Sequence, residues 1–253
     1  MPRPDNRPLD ALRPTVFTVG FHRLAEGSVL YRAGGTVVLC TASVDDKVPS
    51  FLEGKGKGWL TAEYQMHPRA NARRQERDGR GRGLGGRTQE IQRLIGRALR
   101  AGVNLDAIGP RTLTLDCDVL EADGGTRTAS ITGSYVALAV AISKLTKDGA
   151  LTKRVLRGPV AAVSSGLVEG IGLLLDLAYA EDSQARVDLN VVATEHGEII
   201  ELQGTAEGEP VPRADLDRMT DLALDGIREL TRRQRLALAE AGVDLPSLLE
   251  NPS

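Results

Sequence analysis

Aromatic residues make up only 3% of this 253-residue chain. The core must therefore be assembled from Leu, Val, Ile and Ala, and a grip on nucleobases is not expected to rest mainly on stacking. The two cysteines, Cys40 and Cys117, each sit inside an apolar, strand-like run with no spaced Cys/His set around them. That excludes a disulfide framework and a zinc finger and predicts two buried, reduced thiols in a cytoplasmic protein. The three histidines, His22, His67 and His196, have neither metal-ligand nor triad spacing. No Gly-x-Ser-x-Gly elbow surrounds Ser164 and no Gly-Lys-[Ser/Thr] phosphate loop occurs. No continuous apolar run approaches the roughly 18 to 20 residues that span a bilayer. The start, Met1-Pro2-Arg3-Pro4-Asp5, is too polar for a signal peptide.

What is present is an ordinary globular composition with one anomaly of charge. Hydrophobic residues are 41% and charged residues 26%, enough to bury a full core. Residues 69–100 hold ten arginines, no lysine and only three acids, a local charge of +7 against −9 for the rest of the chain and −2 overall. A basic stripe on an acidic body predicts a polyanionic partner. Arginine rather than lysine fits forked hydrogen bonding to phosphate.

Alternating patterns predict strands over 15–21, 28–32, 36–44, 59–64 and 111–120, the second and third joined by a hairpin at Gly34-Gly35. Residues 67–87 lack any apolar period and are expected to form a long, mobile loop, of a length that is usually functional or disordered. Ile91, Leu94, Ile95, Ala98 and Leu99 fall on one face of a helix over 89–101. Residues 128–145 read as a second helix, rich in small residues that allow close approach to a sheet. The polar stretch 146–158 reads as a linker, dividing the chain into 1–148, with the basic loop and a candidate anion site, and 149–253. Four strands and a long amphipathic helix follow it. Runs of strands followed by helices indicate an α+β fold with mixed sheets.

Two features could carry chemistry. The turn Asp123-Gly124-Gly125-Thr126-Arg127 lies between a strand and a helix. Its glycines admit a ligand close to the backbone, the helix start offers unpaired amides, and Arg127 adds a cation. By spacing alone it reads equally as a phosphate site and as a plain turn. Arg87, after Gly85-Gly86 at the start of a helix, could be a second cation on the same anion. The other feature is the pair Asp182 and Asp188. Asp188 alternates with apolar Val187 and Leu189, so it points away from them. Brought together, the two carboxylates could hold Mg²⁺ or Mn²⁺ or serve as an acid. By themselves they read rather as two solvated acids, one in a loop and one at a strand edge.

In combination these segments resemble the ribonuclease PH family. The resemblance runs from about residue 3 to about residue 230. It is carried by Arg3-x-Asp5-x-Arg7, Cys40-Thr41-Ala42, Gly58-Trp59-Leu60-Thr61-Ala62-Glu63-Tyr64, the run from Gly86 to Arg97, the run from Asp116 to Thr128, Glu181-Asp182-Ser183 with Val187-Asp188-Leu189-Asn190, and Gln203-Gly204-Thr205. It implies a phosphate-dependent 3′-to-5′ exoribonuclease that trims tRNA precursors and releases nucleoside diphosphates. It also implies the ribosomal protein S5 domain 2-like fold and a homohexameric ring built as a trimer of dimers. Inorganic phosphate would be co-substrate and Mg²⁺ or Mn²⁺ the metal. By position, the resemblance places phosphate on Arg87, Gly125, Thr126 and Arg127. It places catalytic and metal-binding carboxylates on Asp182 and Asp188, and RNA contacts on Arg69, Arg74 and Arg77. Asn190 stands where the related polynucleotide phosphorylases carry a lysine. An exosome-like ring subunit and an inactive RNA-binding ring are the rival readings.

Overall fold

The computed structural model describes residue 3, residues 5–81 and residues 83–250. Arg82 of the basic segment, three residues of the polar N-terminus (Met1, Pro2 and Pro4) and residues 251–253 lie outside the described residues.

The first half forms a five-stranded sheet from β1 (Thr15–Val19), β2 (Gly27–Ala33), β3 (Thr36–Asp45), β4 (Trp59–Met66) and β5 (Thr112–Glu121), in the order β1-β2-β3-β5-β4. All neighbours are antiparallel except β4 and β5. Parallel neighbours need a crossover. Here it holds α1 (Gly86–Ala101) and the short α2 (Leu105–Ile108), which the sequence pattern missed. Helix α1 begins at Gly86, three residues before the expected start at 89, because Gly85 supplies an extended N-cap. That places Arg87 in its first turn. On β5, Leu113, Leu115, Cys117 and Val119 are buried, as the alternation predicts.

The second half forms a four-stranded antiparallel sheet, β7-β6-β8-β9, from β6 (Val160–Val168), β7 (Gly172–Leu175), β8 (Ala185–Thr194) and β9 (Ile199–Ala206). Helix α3 (Thr126–Lys147) joins the two halves. A four-residue helix, α4 (Tyr179–Asp182), precedes β8, and α5 (Arg213–Glu240) packs on β6 and β8. A last short helix, α6 (Leu245–Leu248), lies against α3 and α5. The stretch expected as a linker is instead tied in: Leu151, Val155 and Leu156 are buried in the main core. The polar residues between them hide that apolar spacing from a composition-based reading.

Helix α3 is the centrepiece. It touches β2, β3 and β5 and also β6, so it is apolar all round rather than on one stripe. Among the described residues it is the one helix long and apolar enough to cross a membrane by composition, and 83% of its apolar window is buried in the fold. Its small residues let backbones meet. A Cβ added at Gly27 on β2 would lie 2.0 Å from the Ala137 carbonyl oxygen, and one at Gly133 on α3 would lie 2.8 Å from Cys40 Sγ. Both thiols are free and buried, paired in register across β3 and β5.

The N-terminal segment is fastened across the other half by buried ion pairs. Arg3 forks onto Glu181, with Nε to Oε1 at 2.6 Å and Nη2 to Oε2 at 2.7 Å, and both residues are 2% exposed. Arg7 reaches Glu181 at 3.1 Å and donates to the Asp176 carbonyl at 2.6 Å. Arg13 Nη2 pairs with Asp176 Oδ1 at 2.7 Å, and its Nη1 donates to the Asp123 carbonyl at 2.6 Å.

Since the β2–α3 interface has no room at Gly27, Gly27→Ala is expected to destabilise the fold by about 3 kcal/mol through overpacking. Urea unfolding checks this, and a loss below 0.5 kcal/mol (roughly the scale of a neutral surface change) would contradict the close approach.

Candidate active site

Three segments far apart in sequence converge on one cleft of about 820 Å³. The first is the turn into α3. Gly124 and Gly125 have φ of 76° and 64°, a left-handed conformation that a side chain resists. At Gly124 there is also no space, since a Cβ would lie 2.7 Å from the Leu177 carbonyl oxygen. Thr36 Oγ1 accepts from the Asp123 amide at 2.9 Å and donates to the Gly124 carbonyl at 2.7 Å, fixing the turn. The first turn of α3 lines the cleft, and its amides have no helical partner and lie at the positive end of the helix dipole.

The second segment is the start of α1, which brings Arg87 to the same cleft. Arg127 is held between β9 and α1. Its Nη1 donates to Gln203 Oε1 at 2.5 Å, Gln203 Nε2 donates to Glu90 Oε1 at 3.1 Å, and Arg127 lies 3.7 Å from Glu90. Thr126 shares a 2.9 Å hydrogen bond with the hydroxyl of Tyr64 on β4.

The third segment carries the carboxylates. Asp182 ends α4 and Asp188 lies on β8, and both line the cleft. Burial pushes the Asp182 carboxyl above the usual range, partly offset by Arg127 and Arg87. Burial, and then the charge of Asp182, push Asp188 up to about 6, against a 3.0 Å hydrogen bond from Asn190 Nδ2 to Asp188 Oδ2 and the two arginines. The other oxygen, Asp188 Oδ1, is buried with no hydrogen-bond partner. Its unmet bonding capacity suits a cation or a proton. Among the described residues no group of three His, Cys, Asp or Glu could hold a metal. A divalent ion here would take two carboxylates and fill its shell with water and substrate oxygens, the usual habit of Mg²⁺.

Arg87, Gly125, Thr126, Arg127, Asp182 and Asp188 thus share one cleft. Arg69, Arg74 and Arg77 do not line it: all three are exposed on the neighbouring segment, and Arg77 borders an adjoining depression that also includes Arg87. Arg73 is the arginine of that run that lines the cleft. Sequence reasoning did not single out Arg73, Tyr64 or Gln203. Tyr64 and Gln203 stand inside segments that carry the resemblance, but their role depends on strand pairing.

An aspartate whose acidity is weakened by folding costs stability wherever it is ionised. The cost grows as pH rises from about 4, where the unfolded group ionises, to about 6, and is constant above that. Asp188→Asn is therefore expected to stabilise the metal-free protein by about 3 kcal/mol at pH 8 and by little at pH 4. Melting curves at the two pH values check it, and an unchanged or lowered midpoint at pH 8 would contradict it.

Residues 11–143 match the first domain of the 3′ exoribonuclease family and residues 158–226 match its second domain. The chain is 54% identical over 239 residues to the ribonuclease PH of Crocosphaera subtropica, an alignment covering 94% of this chain and 98% of that protein. Among solved structures it resembles rice Rrp46 (TM-score 0.75, 18% identity, 93% of this chain and 100% of that one). It also resembles a chain of the Archaeoglobus fulgidus exosome with RNA bound to the active site (TM-score 0.74, 19% identity, 92% of each chain). The α+β architecture with mixed sheets is accordingly the ribosomal protein S5 domain 2-like fold. With both domains matched in order and a 54% identical relative over nearly its whole length, the chain belongs to the 3′ exoribonuclease family, of the ribonuclease PH type.

Proposed function

We propose that this protein is a phosphate-dependent 3′-to-5′ exoribonuclease that trims tRNA precursors and releases nucleoside diphosphates. One observation carries the reading: a single cleft holds both a cradle for a small anion and a pair of carboxylates with unmet bonding capacity. Inorganic phosphate binds at the Gly125-Thr126 amides, between Arg127 and Arg87. The cations offset the repulsion between two anions and orient the attack. A phosphate oxygen bonds to the phosphorus of the last phosphodiester, and the bond from that phosphorus to the 3′-oxygen of the shortened RNA breaks. That oxygen leaves and takes a proton. The phosphoanhydride of the nucleoside diphosphate replaces the phosphodiester with little bond energy lost, so the step is reversible.

A divalent ion, Mg²⁺ or Mn²⁺, would be held by Asp182 and Asp188 and would supply stabilisation of charge on the phosphoryl oxygens. Asp188 in its protonated form is the alternative donor to the leaving oxygen, a reading its upward shift to about 6 favours. Arg69, Arg74 and Arg77, exposed beside the cleft, grip the RNA backbone in a salt-sensitive, sequence-tolerant way. Residues 1–148 thus supply phosphate and RNA binding, and residues 149–253 supply the carboxylates. The working form is a homohexamer, a trimer of dimers. Exposed Val16, Phe21 and Leu24, along and just after the edge strand β1, offer apolar surface for a neighbouring copy. Its place is the cytoplasm, in keeping with two buried free thiols.

The test is a 3′-labelled tRNA precursor incubated with protein and Mg²⁺, with and without inorganic phosphate. Nucleoside diphosphate is expected only with phosphate, whereas nucleoside monophosphate without it would mean hydrolysis and refute the proposal. Arg127→Ala should lower phosphorolysis by about a hundredfold or more with an unchanged circular dichroism spectrum, and wild-type turnover in that variant would remove Arg127 from the phosphate site. Because Asp188 must be ionised to bind a cation, Mg²⁺ affinity measured by titration calorimetry should weaken as pH falls through about 6. Constant affinity from about pH 5 to about pH 8, a span on both sides of that ionisation, would exclude Asp188 as a ligand.

A further inference from the structure

Tyr179 opens α4 and is 64% exposed, while Tyr31, Tyr64 and Tyr135 are at most 2% exposed. An exposed aromatic is ordinary by itself, but the position of this one is not. It lines the same cleft as the anion turn and the two carboxylates, and it is the single aromatic residue in that wall. Among the described residues its ring faces neither another aromatic nor a cation, and its hydroxyl makes no hydrogen bond. The backbone beneath it is nonetheless fixed. Its amide donates to Asp123 Oδ1 at 3.3 Å, and a Cβ at Gly124 would lie 2.8 Å from that nitrogen. The ring is thus referenced to the turn that cradles the anion, and Asp182 follows one helical turn later on the same side of α4.

We propose that Tyr179 is the stacking platform for the 3′-terminal nucleobase, the base of the nucleoside that leaves as a diphosphate. This rests on the reading of the cleft as the site of phosphorolysis. The nucleoside about to be joined to the incoming phosphate is the one nearest the Gly125 turn, and Tyr179 is the planar surface anchored to that turn. Every base has a face to stack, so one ring gives affinity that is tolerant of sequence. Tyr179 is a positioning residue for the terminal nucleotide and takes no part in proton or phosphoryl transfer.

The experiment compares two 5′-fluorescein RNA oligonucleotides that differ only in ending with a normal nucleotide or with an abasic ribose. Binding is followed by anisotropy without phosphate or Mg²⁺, so no turnover intervenes. Wild-type protein is expected to bind the base-ended RNA roughly tenfold more tightly than the abasic one. Tyr179→Leu should erase that ratio and Tyr179→Phe should keep it. In the reverse reaction the KM for a nucleoside diphosphate should rise by a similar factor in Tyr179→Leu, with the KM for RNA primer little changed. A ratio that survives in Tyr179→Leu, or is absent in the wild type, overturns the proposal. The binding ratio needs no phosphorolysis, so a failure of the catalytic reading would appear separately, as the wrong product in the phosphate assay.

Discussion

The clasp between the N-terminal arginines and the segment Asp176–Asp182 is the constraint on which the working geometry depends. Arg3, Arg7 and Arg13 meet Asp176 and Glu181 in a nearly dry setting. Burial alone would push both carboxyls up, but the guanidiniums hold Asp176 and Glu181 below the usual range. Removing one partner of such a cluster would strand a buried charge, whereas the intact set is close to neutral and closely paired. Asp176 even holds a left-handed φ of 54°, which few non-glycine residues adopt without such over-determination. Arg13 spans both halves directly, from the Asp176 carboxylate to the Asp123 and Gly124 carbonyls.

That clasp sets the distance across the cleft. Glu181 is fixed by Arg3 and by the Ala178 amide, and Asp182 is the next residue, so its position follows from the ion pair behind it. On the opposite wall Gly124 touches the backbone of Leu177 and Tyr179. The anion turn and the carboxylate helix are therefore one mechanical unit, although about fifty residues separate them in the chain. In the proposed reaction, groups held this way need little reorganisation when substrate arrives.

The electrostatics of the cleft run the other way from those of the clasp. Asp176 and Glu181 are matched by arginines at salt-bridge distance, while Asp182 and Asp188 repel each other with Arg87 and Arg127 serving only as partial compensation. The unfavourable interactions are concentrated where the proposed cation and dianion would bind, and the favourable ones in the wall that holds those groups in place. A network of stability in the wall thus supports a local instability in the site.

The sequence by itself determined much of this protein. Alternation marked the strands, the Leu and Ile spacing marked α1, and Gly124-Gly125 before a helix marked the anion turn. The order of short motifs indicated the family and, as candidates, Arg87, Gly125, Thr126, Arg127, Asp182 and Asp188, which share one cleft. Those features are local: side-chain periods of two and 3.6 residues and backbone freedom at glycine are properties of a few neighbouring residues. Only the tertiary structure decided that the polar stretch after α3 is packed rather than a linker, that Arg73 and not Arg69 or Arg74 reaches the cleft, and that Gln203 and Tyr64 hold Arg127 and Thr126. It alone revealed that the N-terminal arginines fix the carboxylate helix and that Tyr179 stands bare in the wall. Each of these depends on which distant strands pair and what burial does to a charge there, and no period or spacing along the chain encodes a distance between residues far apart in sequence.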